Sequence, residues 1–420
     1  MTPRWGVSMV GTQARGGKAP LSVEEEVNHQ GQTGTKDRRR LIPELGLKEY
    51  WYPALESRKV GKKPVGMQFL GEQLVFFRGK GGEVSALWNV CPHRGGSLMH
   101  GNCHFDGTIS CPYHGWTFDG DGNVLAVLPE GPESKIPGKV KARVYPTRTL
   151  RGMVFIWMGG GEPAPIEEDV PPEFFHNDGL IMYAAEVWPA NWRLCVENVA
   201  DAHVPYVHRD AVFALMVPMP LTGPAGASTA MINNRYSKLD NLSFQALISA
   251  KDTGVPETAK QKAMLQAEFP ALEGRWPKHQ WRKLLSWSTE WSARKRFASS
   301  PTETNDEWNG LGRHLPAMVR IDYRTHVFTR ANVPVDADNT RQVYYHYSAV
   351  SSPLGKLWEK LLFHTFHRWA HVSNFSVQDF RAVKPQRFDT AEYLSSTDLP
   401  NVEWRRLVVR HARGLEHQDV

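Results

Sequence analysis

The sequence predicts an α+β protein with two domains, an antiparallel β domain followed by a mixed domain with a central sheet. Its 420 residues are enough for two domains of about 100–200 residues each. Short apolar runs separated by Gly and Asp-Gly turns fill residues 45–160, whereas strand-like runs and longer helical stretches share residues 175–415. Residues 1–44 are rich in Gly, Lys, Gln and Glu, and we expect them to form a flexible tail.

The composition is that of a globular protein with a large core and a mildly basic surface. Hydrophobic residues make up 41% of the chain, and the formal net charge is +6. The excess charge indicates a solvated surface or, alternatively, a docking face for a small acidic partner protein. No dense basic run interleaves with aromatic residues, so nucleic-acid binding is not expected. Because the sequence has neither an apolar membrane span nor the apolar stretch of a secretory signal, we expect a cytoplasmic protein without membrane contact.

Three apolar runs and a later fourth define the predicted β domain. The runs at 65–70, 73–77 and 84–88 are short, rich in β-branched and aromatic residues, and separated by Gly-containing turns. The run at 152–158 ends the domain, and the Gly- and Pro-rich segment 159–172 is a plausible linker. We therefore expect antiparallel hairpins in this part of the chain.

Two Cys-His motifs lie within the predicted β domain. Cys91 and His93 belong to the first motif and Cys111 and His114 to the second, and 17 residues separate His93 from Cys111. Two thiolates and two imidazoles suit a [2Fe–2S] cluster of the Rieske type, in which histidines replace cysteines on one iron and raise the reduction potential to about −150 to +300 mV. We expect both motifs at the tips of hairpins, where two loops can close around the cluster.

A second group of metal-binding residues follows in the mixed domain. His203 and His208 are five residues apart, with Pro205 between them. Two imidazoles and one carboxylate form the facial triad of non-haem Fe(II), and the best carboxylate candidate is Asp379, with Asp389 as the alternative. Alone, the His pair would be read as two ordinary, partly buried histidines; the accompanying cluster motif favours the metal site.

The remaining features concern helices and histidines outside these motifs. We expect a helix in the later half of residues 191–209 and a long amphipathic helix over residues 354–385. His364, His367 and His371 line one side of that long helix; a zinc site is conceivable, but their aromatic neighbours favour packed histidines.

These motifs together give the chain a family resemblance. Over about residues 45–415 it resembles the terminal oxygenase (α) subunit of the Rieske non-haem iron aromatic-ring-hydroxylating oxygenases. The segments 50–55, 191–210 and 404–408 are most similar to those of the carbazole dioxygenase group. The resemblance implies a catalytic domain with a helix-grip-like α+β fold around a central antiparallel sheet, and a homotrimer.

The resemblance also implies a role for each site residue. The cluster would be held by Cys91, His93, Cys111 and His114, and the mononuclear iron by His203, His208 and Asp379. Asp201 would be the carboxylate that bridges a cluster histidine of a neighbouring subunit and an iron histidine. One departure is that a single residue separates Asp201 from His203, where related sequences usually have two.

The implied function is a terminal oxygenase that uses O₂ to dioxygenate or monooxygenate an aromatic or heteroaromatic substrate. No nucleotide-binding motif is present, so the electrons would come from a ferredoxin, an NAD(P)H-dependent reductase, or both. Oxidative O- or N-demethylation uses the same residues and stays open. Two further alternatives are a Rieske electron-transfer protein without oxygenase activity and a zinc-binding interaction protein. The substrate pocket is expected to include apolar residues between positions 213 and 219.

Overall fold

The fold is described from a computed structural model, and the described residues are 38–198, 207–208, 311–322, 326–388, 390, 392–394 and 398–415. The first part of this chain contains the strands β1 (Trp51–Glu56), β2 (Val65–Phe69), β3 (Glu72–Arg78), β4 (Val84–Trp88), β5 (Ile109–Ser110), β6 (Trp116–Phe118), β7 (Val124–Val127), β8 (Val144–Tyr145), β9 (Thr147–Leu150) and β10 (Met153–Trp157). They form three antiparallel sheets, ordered β1-β10-β9, β2-β3-β4-β8 and β5-β6-β7. The four strands predicted from apolar runs are confirmed as β2, β3, β4 and β10.

Strand β3 separates two hydrophobic cores. Successive side chains of a strand point to opposite faces, and here Leu74 and Phe76 enter the larger core while Val75 and Phe77 enter a smaller one. The smaller core also contains both motif cysteines, Cys91 and Cys111. The two Cys-His loops are therefore mounted on a packed core, which limits their movement.

A second antiparallel sheet follows, with strands β11 (Leu180–Trp188), β12 (Leu311–His314), β13 (Met318–Asp322), β14 (Val327–Pro334) and β15 (Thr340–Ser348) in the order β11-β15-β14-β13-β12. On β15, Val343, Tyr345 and Tyr347 join the larger core. The alternate residues, among them Tyr344 and His346, point to the opposite face. An antiparallel sheet usually leaves one face to solvent, but both of these residues are buried.

The helices are α1 (Arg38–Leu41), α2 (Trp192–Glu197), α3 (Pro353–Leu362), α4 (Val377–Val383) and α5 (Leu399–His411). Between α3 and α4 the chain continues as two π-helical segments, Phe363–His367 and Trp369–Ser376. We call the whole run 353–383 the long helix. Its predicted extent is confirmed, and it begins where the Ser352 side chain accepts a hydrogen bond from the Gly355 N–H with Pro353 in the first turn.

The long helix lies against the second face of the β11–β15 sheet. The ring of His371 stacks on Phe328 of β14 at 4.4 Å between centroids, and Arg330 of β14 donates to Asp379 on α4. The π-helical middle of the long helix carries His371, and π-helical turns occur frequently at functional sites. The space between sheet and helix is therefore where the chemistry-bearing residues of this domain meet.

The described residues bear on two sequence predictions about the ends of elements, and one of them needs correction. Residues 38–44, expected in the flexible tail, pack against the second domain: Arg39 lies over the Phe388 ring, and the Trp192 indole donates to the Pro43 carbonyl. Composition alone could not predict this packing, because the residues that residues 38–44 contact are about 150 or more positions away in the chain. Helix α2 begins at Trp192, capped by the Asn191 side chain, and occupies the first half of 191–209. The helix predicted in the later half of that segment falls almost entirely outside the described residues.

Among the described helices, none combines the length and the apolar character that crossing a lipid bilayer requires.

Candidate functional site

The two Cys-His loops have the same backbone hydrogen bonds. The carbonyl of Cys91 accepts from the N–H of Gly95, and its N–H donates to Gly96. In the second loop the carbonyl of Cys111 accepts from the residue four positions on and its N–H donates to the residue five positions on, again a pair of bonds that closes the loop. Gly95 and its counterpart Gly115 both have positive φ, 72° and 64°, which favours glycine. The two halves are thus structural copies that present their ligands toward one another.

The imidazoles of the two loops lie side by side. The ring centroids of His93 and His114 are 4.7 Å apart, and the His93 ring stacks on Trp116 at 4.8 Å with an interplanar angle of 6°. Cys91 and Cys111 are buried, whereas His93 is exposed. The two loops therefore have an inner side, with the buried sulfurs, and an outer side, with the exposed imidazole.

The space between the loops fits a cluster. A Cβ added to Gly96 would lie 3.1 Å from the Cys111 Sγ, so the sulfur occupies the room that glycine leaves. Burial raises the pKa of the Cys91 thiol to about 11, and the nearby Cys111 adds to the increase. Two neighbouring thiolates repel each other unless positive charge compensates them, and bound iron ions would supply that charge. The donor set of two sulfurs and two imidazoles is that of a Rieske cluster.

One prediction about these loops is only half correct. The Cys111 motif joins β5 to β6 and is a hairpin tip as expected. The Cys91 motif follows β4 but is not the tip of a strand hairpin, since β4 pairs with β3 and β8 and the chain continues into a short 3₁₀ turn, Leu98–His100. Asn89 fixes that segment instead, accepting from the N–H of Met99.

His208 and Asp379 meet between the sheet and the long helix. The Nε2 atom of His208 lies 2.9 Å from Oδ1 of Asp379, and both side chains are buried. Two ligands on neighbouring positions of one metal ion, each at about 2.1 Å, are about 3 Å apart. The separation therefore fits two ligands of one metal ion as well as an ion pair.

Three residues that the sequence analysis missed orient this pair. The Nδ1 atom of His208 lies 3.1 Å from Oε1 of Gln378, and the Phe375 ring stacks on the imidazole at 3.6 Å. The guanidinium of Arg330 donates to the second oxygen of Asp379 at 3.1 Å. A metal-bound histidine requires such an acceptor on its other nitrogen, and a metal-bound carboxylate is commonly hydrogen-bonded in turn. The donor set thus has the outer partners that an iron site needs.

Some predicted site residues lie outside the described part of the chain. These are Asp201, His203, the alternative ligand Asp389, and the pocket residues 213–219. Of the predicted iron ligands, His208 and Asp379 are described and adjacent. The assignment of the complete ligand set stays a prediction.

The row of histidines on the long helix is not arranged as the sequence suggested. His364 is exposed and separate, whereas His367 and His371 meet His326 and His346 from the sheet. The grouping was missed because His326 and His346 are distant in sequence and adjacent only through strand pairing.

Comparisons with known proteins agree with this architecture. The family model described as "Rieske [2Fe-2S] domain" matches residues 50–144, and the model described as "Homotrimeric ring hydroxylase" matches residues 157–240. The first covers both Cys-His loops and the second begins at the end of β10 and runs past His208. The chain thus combines an iron–sulfur domain with a ring-hydroxylase domain.

Curated relatives include two terminal oxygenase components of carbazole 1,9a-dioxygenase. The one from Metapseudomonas resinovorans is 35% identical over 170 residues, which is 40% of this chain and 44% of the relative. The one from a Sphingomonas species is 26% identical over 396 residues, 89% of this chain and 93% of the relative. The match with the higher identity thus covers less than half of the relative's length, and the match that covers nearly the whole relative has the lower identity.

Solved structures show the same fold. A fluorene-bound oxygenase in a ferredoxin complex of carbazole 1,9a-dioxygenase matches with a TM-score of 0.67 at 22% identity, covering 90% of this chain and 94% of that one. The terminal oxygenase from Nocardioides aromaticivorans IC177 matches with a TM-score of 0.65 at 23% identity, covering 90% and 98%. The predicted α+β class, with a β Rieske domain and a mixed second domain, is confirmed.

The chain therefore joins a Rieske [2Fe-2S] domain to a homotrimeric ring-hydroxylase domain. It is similar to terminal oxygenase components, including those of carbazole 1,9a-dioxygenases. Oxygenases of this kind use a Rieske [2Fe–2S] cluster and a mononuclear iron.

Proposed function

We propose that the protein is a terminal oxygenase that uses O₂ and externally supplied electrons to hydroxylate an aromatic or heteroaromatic compound. The observation that carries the proposal is the buried contact between His208 and Asp379, 2.9 Å apart, in a chain that also has a Rieske domain. An electron-transfer protein has no need of a second, oriented set of iron ligands.

The proposed ligands divide between the two domains, which we place at residues 45–160 and 175–415. The cluster ligands are Cys91, His93, Cys111 and His114, and the iron ligands are His203, His208 and Asp379. We propose Asp201 as the carboxylate that links a cluster histidine of one subunit to an iron histidine of its neighbour. When bound, the cluster supplies single electrons and the iron supplies the position at which O₂ and substrate react.

The described side chains prepare the iron ligands for this role. With iron bound, Oε1 of Gln378 would accept a hydrogen bond from Nδ1–H of His208, which leaves the Nε2 lone pair for the metal beside Asp379. Arg330 donates to the far carboxylate oxygen of Asp379 and so orients this side chain. The burial of both ligands keeps bulk water from the reacting atoms, which protects a reactive site from side reactions.

The partners follow from the relatives and from the exposed edge of the first domain. Several of the similar solved structures are complexes of an oxygenase with a ferredoxin, and His93 lies on the surface of this protein. We therefore propose a ferredoxin, an NAD(P)H-dependent reductase, or both, as electron donors, and a homotrimer in keeping with the ring-hydroxylase family model. A cytoplasmic location is part of the proposal, because an intracellular redox enzyme normally keeps its cysteine thiols out of disulfides.

A second candidate function is oxidative demethylation or monooxygenation by the same residues. Relatives include the vanillate O-demethylase oxygenase subunit of a Pseudomonas strain, 29% identical over 202 residues, and the tert-butanol monooxygenase subunit of Aquincola tertiaricarbonis, 35% identical over 176 residues. The ligand set is compatible with each outcome, because the product depends on which substrate atom faces the iron.

The deciding experiment is a product screen under ¹⁸O₂ with a surrogate ferredoxin and reductase. Carbazole, fluorene and methoxylated benzoates are suitable first candidates. Two labelled oxygen atoms in a diol identify dioxygenation, one in a phenol identifies monooxygenation, and formaldehyde identifies demethylation.

The control is His208→Ala, which removes one proposed iron ligand and leaves the distant cluster loops intact. We expect it to retain the reduced Rieske EPR signal and to lose at least 100-fold in labelled product. Equal product from His208→Ala and the unchanged protein would overturn the iron assignment. Absence of labelled product with every substrate, together with normal cluster reduction, would favour the electron-transfer alternative.

A further inference from the structure

Four histidines converge at a point that the proposed oxygenase chemistry does not use. His326 precedes β14, His346 lies on β15, and His367 and His371 lie on the π-helical part of the long helix. One ring nitrogen of each lies within 4.8 Å of those of all the others. Three of the rings are buried and that of His367 is half-buried. The group therefore joins the sheet to the helix.

The spacing of the nitrogens suits a metal ion. The Nε2 atoms of His326 and His371 are 3.1 Å apart. Two nitrogens bound to one tetrahedral zinc at 2.0–2.1 Å are about 3.3 Å apart, so a small adjustment brings this pair to coordination distance. The other pairs of ring nitrogens are at most 4.8 Å apart, so each distance must shorten by about 1.5 Å or less to reach 3.3 Å.

The hydrogen bonding of the group is incomplete without a ligand. Within the described part of the chain, neither ring nitrogen of His346 has a hydrogen-bond partner, and Nδ1 of His367 has none either. These atoms are inaccessible to solvent, and buried polar atoms in folded proteins are nearly always satisfied. A direct hydrogen bond between His326 and His371 accounts for that pair but leaves His346 unexplained.

The rings are also held in place by aromatic contacts. His371 stacks on Phe328 at 4.4 Å, and His326 stacks on His346 at 4.4 Å. The Phe363 ring lies 5.5 Å from His346.

We propose that His326, His346, His367 and His371 form a second metal site, separate from the one at His208 and Asp379, that binds a divalent transition ion such as Zn²⁺. An all-imidazole set differs from the two-histidine, one-carboxylate set that suits Fe(II), and imidazole is a good ligand for Zn²⁺, Cu²⁺ and Ni²⁺.

The two sites are separate positions along the same helix–sheet contact. His371 precedes Asp379 by eight residues on the long helix, about 12 Å at the rise of an α-helix. His326 precedes Arg330, the partner of Asp379, by four residues along the strand direction, about 13 Å. A metal ion at the four histidines would fix the helix against the sheet and so hold the distance between Arg330 and Asp379. This inference does not rest on the proposed oxygenase activity.

The test uses zinc binding to the full-length, cluster-containing protein in the His208→Ala background, which removes the competing site. The protein is equilibrated with Zn²⁺ and desalted, and zinc per chain and its X-ray absorption fine structure are measured. We expect one zinc per chain in an all-nitrogen shell at 2.0–2.1 Å.

Two variants of proposed ligands are compared with one control variant on the long helix. Adding His346→Ala should reduce zinc to background, and adding His367→Gln should weaken zinc binding at least tenfold; adding the exposed His364→Ala should change nothing. The visible spectrum of the cluster shows whether each variant is folded. If His346→Ala does not fold, His367→Gln, at a half-buried position, decides the result.

Two results would overturn the proposal. One is the absence of zinc from the His208→Ala protein, and the other is unchanged zinc affinity in both the His346→Ala and His367→Gln variants. The proposed function fails separately, through the ¹⁸O₂ assay. If His346→Ala removes the mononuclear iron from the otherwise unchanged protein and His208→Ala does not, the four histidines are a metal site and the iron assignment to His208 is wrong.

Discussion

The hydrogen bond between His208 and Gln378 is the feature of the site most open to a quantitative test. With a metal ion bound at Nε2, the proton of His208 would be on Nδ1 and would be donated to Oε1 of Gln378, which lies 3.1 Å away. The His208 ring is fully buried, so water cannot replace that acceptor. Replacing Gln378 by Leu, of similar size, leaves the N–H without a partner and lets the ring rotate.

The expected size of the effect follows from this burial. A buried donor left unsatisfied costs about 1–3 kcal/mol, and each 1.4 kcal/mol is a factor of ten in an equilibrium constant. Outer partners of metal-bound histidines contribute a similar 10- to 100-fold to metal affinity. We therefore expect Gln378→Leu to weaken iron binding at the mononuclear site by about 10- to 100-fold.

The assay is the equilibrium loss of the mononuclear iron in a series of chelator-buffered solutions, with the cluster's visible spectrum as an internal measure of folding. Gln378→Glu keeps an acceptor oxygen at the same place and should bind iron at least as tightly as the unchanged protein. Gln386→Leu makes the same substitution at an exposed position just beyond the long helix and should have no effect.

A Gln378→Leu protein that folds, keeps its cluster and binds iron within twofold of the unchanged protein would contradict the orienting role of Gln378. Loss of iron from Gln378→Glu as readily as from the Leu variant would contradict it too, since the acceptor oxygen would then be irrelevant. A reduced kcat with unchanged iron affinity would place the Gln378 side chain against the substrate and not against the His208 ring.

The remaining predictions concern the cluster and the stability of the fold. Gly96→Val should lower iron and sulfide per chain by more than half, because its side chain must enter the room that the Cys111 Sγ occupies; a normal cluster content would contradict the packing described. Arg405→Ala should destabilise the fold by about 3–5 kcal/mol in chemical denaturation, because it leaves Glu197 buried without the guanidinium that now donates to both its oxygens at 2.7 Å. Arg58→Ala, at an exposed position, is its control and should leave the unfolding midpoint unchanged.

Much of the first domain could be predicted from sequence because its signals are local. The strands β2, β3 and β4 are short apolar runs between turn residues, and each hairpin closes within a few positions. The two Cys-His motifs carry their own loop geometry, since Gly95 and Gly115 permit the turns that close them. A binding motif whose residues lie within about five positions can be recognised from the sequence before the fold is known.

The second domain was predictable in class and in its candidate ligands, but not in the surroundings of those ligands. Asp379 could be proposed from its place on a long helix, and His208 from its spacing. Arg330 and the pair of His326 and His346 carry no local signal, because only the antiparallel register of β14 and β15 against the long helix places them there. The packed tail residues 38–44 were missed for the same reason.

The sequence by itself therefore determined the kind of chemistry: two thiolates and two imidazoles for an iron–sulfur cluster, and a histidine and a carboxylate for a mononuclear metal. Tertiary structure decided which groups orient that metal pair and brought four histidines from the edge of β14, from β15 and from the long helix to a common point. The physical reason is range. Ligand identity and loop closure depend on neighbouring residues. Outer hydrogen bonds, burial and charge pairing depend on contacts between elements that are tens to hundreds of residues apart, such as His208 with Gln378 and Arg405 with Glu197.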